Sequence, residues 1–446
     1  MMLQTLSLLK SGALDLHSYL DGWCDRIEEA DGALHCFVEE PGRRSRLHAE
    51  AGALLEKYGS EEQRPPLFGL PIGVKDIIRV SGLETRCGSA LPAELFYGEE
   101  AELVRLLKDA GALVLGKTVT TEFAWFQPGL TKNPLNPGHT PGGSSSGSAA
   151  AIAAGLASLT LGTQTVGSVV RPAAYCGVVG VKPSAGSLPT RGIIPFSKSF
   201  DQPGYFTADL ESAAFVASVI TDEWFPEDSP PRDASSTGKV YDYYTKSTDQ
   251  LQHKPVLGIP DEAYLRQADS NIRFWFDRWV RQLIENGLHV VNTSLFKDIE
   301  AINHHHKAVA AKEFAEVHKL WHSEYGSLYG YHSVQLIEAG RKVDQETVRA
   351  ALMLREHTIR ELENVMTKEG IDCWVSPAAT SLPPRGLSST GSPLMSLPWT
   401  FTGVPGISVP VAVPETPFVP GLQVCGRLNG LQRLFKDTFV LRDILL

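Results

Sequence analysis

The stretch LGTQTVGSVVRPAAYCG, residues 161–177, decides how the rest of the chain is read. It continues an apolar run suited to a sheet and then passes through Gly, Thr and Ser. Ser168 stands between Gly167 and Val169. Small and hydroxylic residues at Thr163, Thr165, Gly167 and Ser168 let a backbone come close to another group. Successive N–H groups in such a turn can aim at one oxygen. The same residues also make an ordinary turn with capping hydroxyls, and taken alone the stretch reads that way. A hydroxyl is a weak nucleophile near neutral pH without an activating base. No His lies nearby in the sequence.

Outward from this stretch the pattern alternates β and α. Residues 99–118, EEAELVRLLKDAGALVLGKT, read as helix, Gly break and strand, one αβ unit. Residues 148–159 are an Ala-rich helix, and 13–30, 45–58 and 208–220 carry helical spacing. KPVLGIP (254–260) and IDCWVSPAA (371–379) read as strands, and residues 305–367 as mostly helix. GVPGISVPVAV (403–413) and GLQVCGRL (421–428) are two further strands before a last helix. The polar, Pro/Ser/Asp-rich residues 226–253 read as a surface excursion. No linker divides the chain and no repeat is visible. The 446 residues therefore favour one large α/β domain, 1–446, with helices covering a mixed sheet.

Composition narrows the function classes. A hydrophobic fraction of 43% with 21% charged residues fits a folded soluble chain. The net charge of −10 gives no electrostatic reason to seek nucleic acid or an anionic membrane. A small or uncharged substrate is expected. The six Cys form no CxxC pair and read as reduced core thiols. The N-terminal residues lack the pattern of a signal peptide, and no apolar run is long enough to span a bilayer. The cytoplasm is the default compartment.

Several groups compete for a chemical role. Gly143-Ser144-Ser145-Ser146-Gly147 fits G-x-S-x-G, but a loop precedes it where a nucleophile elbow needs a strand. No GK[ST] follows, so a nucleotide loop is not indicated. A flexible linker is also disfavoured, because the Ala-rich helix follows directly. Lys75 ends an apolar run in LPIGVKD, which would deliver an ammonium to the mouth of a sheet. A snorkelling surface lysine looks the same. Lys182 in GVVGVKP has the same local look, and spacing does not choose between them. His304–His306 and the pair His318/His322 invite a metal. HKLWH, however, lacks the Glu of a zinc hydrolase motif, and exposed or pocket-lining histidines are expected. No metal or other cofactor is expected.

Together and in order, these pieces resemble the amidase signature family. The segments are GLPIGVKD (69–76), KTVTTEFA (117–124), PGGSSSGSAA (141–150), GTQTVGSVVRPAA (162–174), GVKPSAG (180–186) and GVPGISVP (403–410). The strongest match spans about 65–205. The resemblance implies a single mixed sheet of about ten or more strands covered by helices on both faces. It makes 65–205 the core and about 225–370 a more variable helical region that shapes the substrate pocket.

It also implies a Ser-Ser-Lys triad, with Ser168 as nucleophile, Ser144, on a cis peptide, as bridge and Lys75 as base. Lys75 takes a proton from Ser144 while Ser144 takes one from Ser168. Backbone N–H groups of Thr165, Val166, Gly167 and Ser168 hold the oxyanion, and Gly143 and Ser145 support the site. The implied activity is hydrolysis of a small carboxamide or related C–N bond through an acyl-enzyme. The alternatives are the glutaminase (A-type) subunit of a tRNA-dependent amidotransferase, or a catalytically silent scaffold. The partner is a small-molecule amide, with a homodimer allowed. Aromatic residues near Trp125, Phe126, Trp399 and Phe401, with the helical stretch 300–335, are expected to line the pocket or pack the core.

The chain departs from the family's pattern at four places, one of them Ser146 where a Gly is usual, which should be tolerated. Gln164 stands where an Asp is usual, and Val166 where a Gly is. The Arg is displaced by one residue, with Val170 at its usual place and Arg171 next. An acid and its base are then lost together as a pair, unless another carboxylate meets Arg171.

Overall fold

The computed structural model describes residues 2–223 and 254–446; the polar excursion 226–253 lies outside the described residues. Ten strands form one sheet: β1 Pro71–Lys75, β2 Leu113–Thr118, β3 Leu159–Gln164, β4 Val179–Lys182, β5 Gln202–Thr207, β6 Leu257–Ile259, β7 Val290–Asn292, β8 Cys373–Pro377, β9 Gly406–Pro410 and β10 Gly421–Cys425. Their order across the sheet is β2-β1-β3-β5-β4-β9-β10-β8-β6-β7. β1 lies parallel to both β2 and β3, and β6 parallel to β7 and β8. The strands between them pair antiparallel. The sheet is mixed and the domain single, as the sequence reading expects.

Side chains leave alternate faces of a strand with a period of two. In β2, Val114 joins one core, while Leu113 and Leu115 join another. Likewise Tyr205 and Phe206 of β5 part to opposite cores. Burial on both faces explains why these strands read as nearly continuous apolar runs. One face carries the helices Leu16–Leu34 and Arg43–Lys57, together with α1 (Ser146–Ala153) and α2 (Val170–Cys176). The other carries Glu102–Asp109, Leu210–Ile220 and α3 (Ile299–Val317).

Two glycines show why the Gly/Ser loop is so small. A Cβ on Gly147 would lie 2.2 Å from the Cys36 carbonyl oxygen and 2.5 Å from the Val119 nitrogen. The first turn of α1 is thus pressed against two other backbones. Gly142 takes φ +82 with Pro172 of α2 beside it, a conformation and a closeness that a side chain disfavours. Ser146, by contrast, fits with its hydroxyl donating to the Val119 carbonyl.

Candidate active site

Lys75 is the last residue of β1, and Thr163 lies near the end of neighbouring β3. Both parallel strands therefore open at the same sheet edge. The Lys75 side chain is fully buried. Its Nζ meets Ser144 Oγ at 2.7 Å and Thr163 Oγ1 at 2.9 Å. Burial pushes the ammonium down to about 7, with Arg171 adding to the effect and Asp201 opposing it. The adjacent acid does not pair with Lys75: Asp76 forms a buried ion pair with Lys117 at 2.9 Å. Lys75 is therefore left to two hydroxyls.

Ser144 follows a cis peptide from Gly143, as the resemblance implies. Its carbonyl accepts from Thr121 N and Thr120 Oγ1, both at 3.2 Å. The segment KTVTTEFA thereby fixes the serine. Ser145 Oγ is tied to the Thr163 backbone at 3.4 Å. Ser168 shares with Ser144 the lining of one small cavity, walled by Trp125, Phe126, Phe196 and Pro393. Among the described residues, hydrogen bonding closes the Lys75–Ser144 link and leaves the Ser144–Ser168 link open. Such links are often loose without substrate.

The turn between β3 and α2 is held from three sides. Gln164 Oε1 accepts from Val169 N at 2.9 Å and Val170 N at 3.0 Å, capping the entry to α2. Its Nε2 donates to Thr400 Oγ1. Thr400 in turn donates to the Val166 carbonyl at 2.8 Å. His306 Nε2 donates to the Thr165 carbonyl at 2.9 Å; a carbonyl only accepts, so this nitrogen carries the proton. Burial pushes His306 down to about 3, which leaves it neutral. In a trans peptide the N–H points opposite to the C=O. With the carbonyls of Thr165 and Val166 drawn to His306 and Thr400, the N–H groups of Val166 and Gly167 point the other way. Val166, at the place of a Gly, supplies that N–H like any residue. Asp201 completes the frame. One oxygen accepts from Thr165 Oγ1, the other from Phe196 N and Ser197 N, and burial pushes it up to about 6.

His306→Phe is expected to lower kcat by about 10-fold or more, with KM within about threefold, because it frees the 165–166 peptide. His306→Gln, which restores an N–H donor, should recover most of the loss. Equal kcat in both variants would remove this positioning role.

Other sequence candidates lie elsewhere. Lys182 donates to Gln202 Oε1 and the Val404 carbonyl, away from the serines. His318 stacks on Phe314 and bonds to the Tyr329 hydroxyl, so it is a core histidine. Among the described residues no cluster of His, Cys, Asp or Glu is placed to hold a metal. Trp399 and Phe401 do not line the cavity. Trp399 is buried with its indole N–H on Tyr264, and Phe401 packs on Phe200 and His306. His306, Thr400 and Asp201 are the residues sequence reasoning missed. The single sequence signal for any of them was the HHH run.

Fold and site together define a class: proteins built on one large mixed sheet, with a buried lysine bonded to a serine of a Gly/Ser-rich loop. The chain belongs to the Amidase family, which it matches over residues 19–432, and is an enzyme acting on amide C–N bonds. It is similar to the A-type subunit of the glutamyl-tRNA(Gln) amidotransferase of Alkaliphilus metalliredigens (strain QYMF), with 29% identity over 95% of this chain and 92% of that one. Among solved structures it resembles an amidase, with TM-score 0.84 and 28% identity over the whole of both chains. It also resembles the native peptide amidase of Stenotrophomonas maltophilia, with TM-score 0.80 and 25% identity over 100% of this chain and 96% of that one.

Proposed function

We propose that Ser168 is acylated by an amide substrate and that Lys75 is the base, acting through Ser144. The observation that carries this reading is the buried Lys75, lowered to about 7 and hydrogen-bonded to Ser144. At neutral pH about half of such a lysine is free to accept a proton. Ser144 passes its proton to Lys75 and takes one from Ser168, which attacks the amide carbon. The N–H groups of Val166 and Gly167, in the turn 165–168, receive the oxyanion. Ser144 then returns a proton to the leaving nitrogen, and water frees the acyl group. The core segment 65–205 supplies these groups and α3 braces them, in one domain spanning 1–446.

Two settings fit this chemistry. The names of the curated relatives support membership of an amidotransferase, the alternative reading of the sequence, better than a free-standing amidase. In that setting glutamine is the amide, other subunits complete the enzyme and any tRNA contact lies with the assembly. The solved neighbours include amidases, which keeps the free-standing setting open to test. We place the protein in the cytoplasm. Six buried free cysteines suit a reducing compartment, and among the described residues no helix is long and apolar enough to cross a membrane.

The test is ammonia release by the purified chain from glutamine and from other primary amides, alone and with the other subunits of such an amidotransferase. Glutamine turnover that appears with those subunits establishes the amidotransferase reading. Turnover of other amides by the chain alone establishes the free-standing one. A fluorophosphonate that fails to label Ser168 removes both.

A further inference from the structure

We propose that Glu122 is a positioning residue for the reaction at Ser168: its carboxylate clasps the first turn of the helix Tyr331–Arg341 (α4) and so locks that helix to the loop that holds Ser144 and the aromatic wall of the cavity. This rests on Ser168 as the acylated serine and Ser144 as its relay, and it deepens that reading by naming what holds them in place. Glu122 is buried. Its two oxygens accept from Gly330 N at 3.0 and 3.1 Å, and one of them also accepts from the Ser333 hydroxyl. Burial raises the carboxyl above its ordinary range, and the Ser333 and Gly330 donors oppose that rise.

The contact replaces a helix cap. Gly330 is the N-cap residue of α4 and makes no side-chain cap. In a capping box, a Glu at the third helical position reaches back to the N-cap backbone N–H. Here that position is Ser333, and Glu122, 208 residues earlier in the chain, takes the N–H instead. Its negative charge then sits at the positive end of the helix. The glycine is what admits it. A Cβ on Gly330 would lie 2.9 Å from Glu122 Oε2 and 2.9 Å from Gln127 Cγ.

The residues after Glu122 need such a hold. Phe123 and Ala124 take φ 48 and φ 61, a region that residues with a side chain enter at a cost. Phe123 packs on Tyr329 and His318, and Trp125 and Phe126 then enter the cavity wall. On the other side of Glu122, Thr121 N donates to the Ser144 carbonyl. One arm of the clasp is therefore the loop that sets Ser144. The other arm is α4, which is pressed onto α3: a Cβ on Gly340 would lie 1.9 Å from the Ala311 carbonyl oxygen. α3 carries His306 to the Thr165 carbonyl. Glu122 thus joins the support of Ser144 to the support of the turn 165–168.

The experiment measures the maximal rate at which a fluorophosphonate labels Ser168 in the full-length protein, beside thermal unfolding. Glu122→Ala is expected to slow labelling by about 10-fold or more at temperatures where the variant is folded, because both supports loosen. Glu122→Gln should stay within about threefold of wild type, since its carbonyl keeps the Gly330 N–H and the Ser333 hydroxyl turns to accept from its amide. Ser333→Ala should slow labelling by about fivefold in the wild-type background and have almost no effect beside Glu122→Ala, as partners in one contact do. A Glu122 of structural importance alone would lower the unfolding temperature and leave the labelling rate of the folded protein unchanged, and that result overturns the proposal. So does equal slowing by Glu122→Gln and Glu122→Ala, or a Ser333→Ala effect that is the same in both backgrounds. If Glu122→Ala fails to fold, Ser333→Ala decides: slowed labelling of the folded variant supports the clasp, and an unchanged rate overturns it. Absent labelling of the wild type would instead strike the acyl-enzyme reading itself.

Discussion

Ser168→Ala is expected to lower kcat by about 10⁵-fold while the fold stays intact, because the proposed acyl-enzyme route is lost and only binding and the proposed oxyanion donors remain. The substitution removes one oxygen from a residue that is 8% exposed at a cavity wall. It opens no large void and leaves no partner stranded, since none of the described hydrogen bonds runs to this hydroxyl. Thermal unfolding should therefore match wild type. Fluorophosphonate labelling should vanish in Ser168→Ala and persist in Ser145→Ala, whose hydroxyl faces the Thr163 backbone. Activity within about tenfold of wild type would move the nucleophile off Ser168. Ser144→Ala should fall between, because Lys75 would keep Thr163 but lose the hydroxyl proposed to relay its proton.

The sheet was legible because strands buried on both faces leave nearly continuous apolar runs, as at Ile72–Val74 and Leu159–Leu161. That Lys75, Ser144 and Ser168 come together was legible through their motifs. Local pattern alone left Lys75 and Lys182 equivalent, since both end buried strands after Gly-Val. The difference is what lies across the gap: Thr163 and Ser144 for one, Gln202 and the Val404 carbonyl for the other. The braces of the turn were not legible as braces: the HHH run drew notice to His306, but nothing in it pointed to Thr165. His306 reaches Thr165 across 141 residues, and Thr400 reaches Val166 across 234. No periodicity encodes such a contact. Aromatic content misled for a related reason. Trp125 and Trp399 look alike in sequence, yet one lines the cavity and the other gives its N–H to Tyr264 in the core. Gln164 shows the converse case. As a departure from a pattern it looked like a loss, but its amide caps α2 and orients Thr400.

Lys75 carries the second large effect, and it joins function to stability. Lys75→Arg and Lys75→Met should each lower kcat/KM by about 10³–10⁴-fold, since neither can take a proton from Ser144. For wild type, kcat/KM should rise with pH through about 7 as Lys75 loses its proton, then level off. The same burial makes Lys75 costly to the fold. Its folded value lies below its ordinary 10.5, so the unfolded chain binds the extra proton between these two values. Stability therefore increases with pH across that window, and the cost is greatest below about 7. By linkage it amounts to about 4 kcal/mol at pH 7. Lys75→Met escapes this cost but strands the hydroxyls of Ser144 and Thr163, which returns part of it. The net expectation is a gain of about 2 kcal/mol at pH 7 that shrinks to nothing or reverses by about pH 10. Equilibrium or kinetic unfolding of both proteins at the two pH values measures it. An inactive variant that is less stable at both would show that Lys75 is held by its hydrogen bonds without strain, and would remove the lowered value on which its proposed role as base depends.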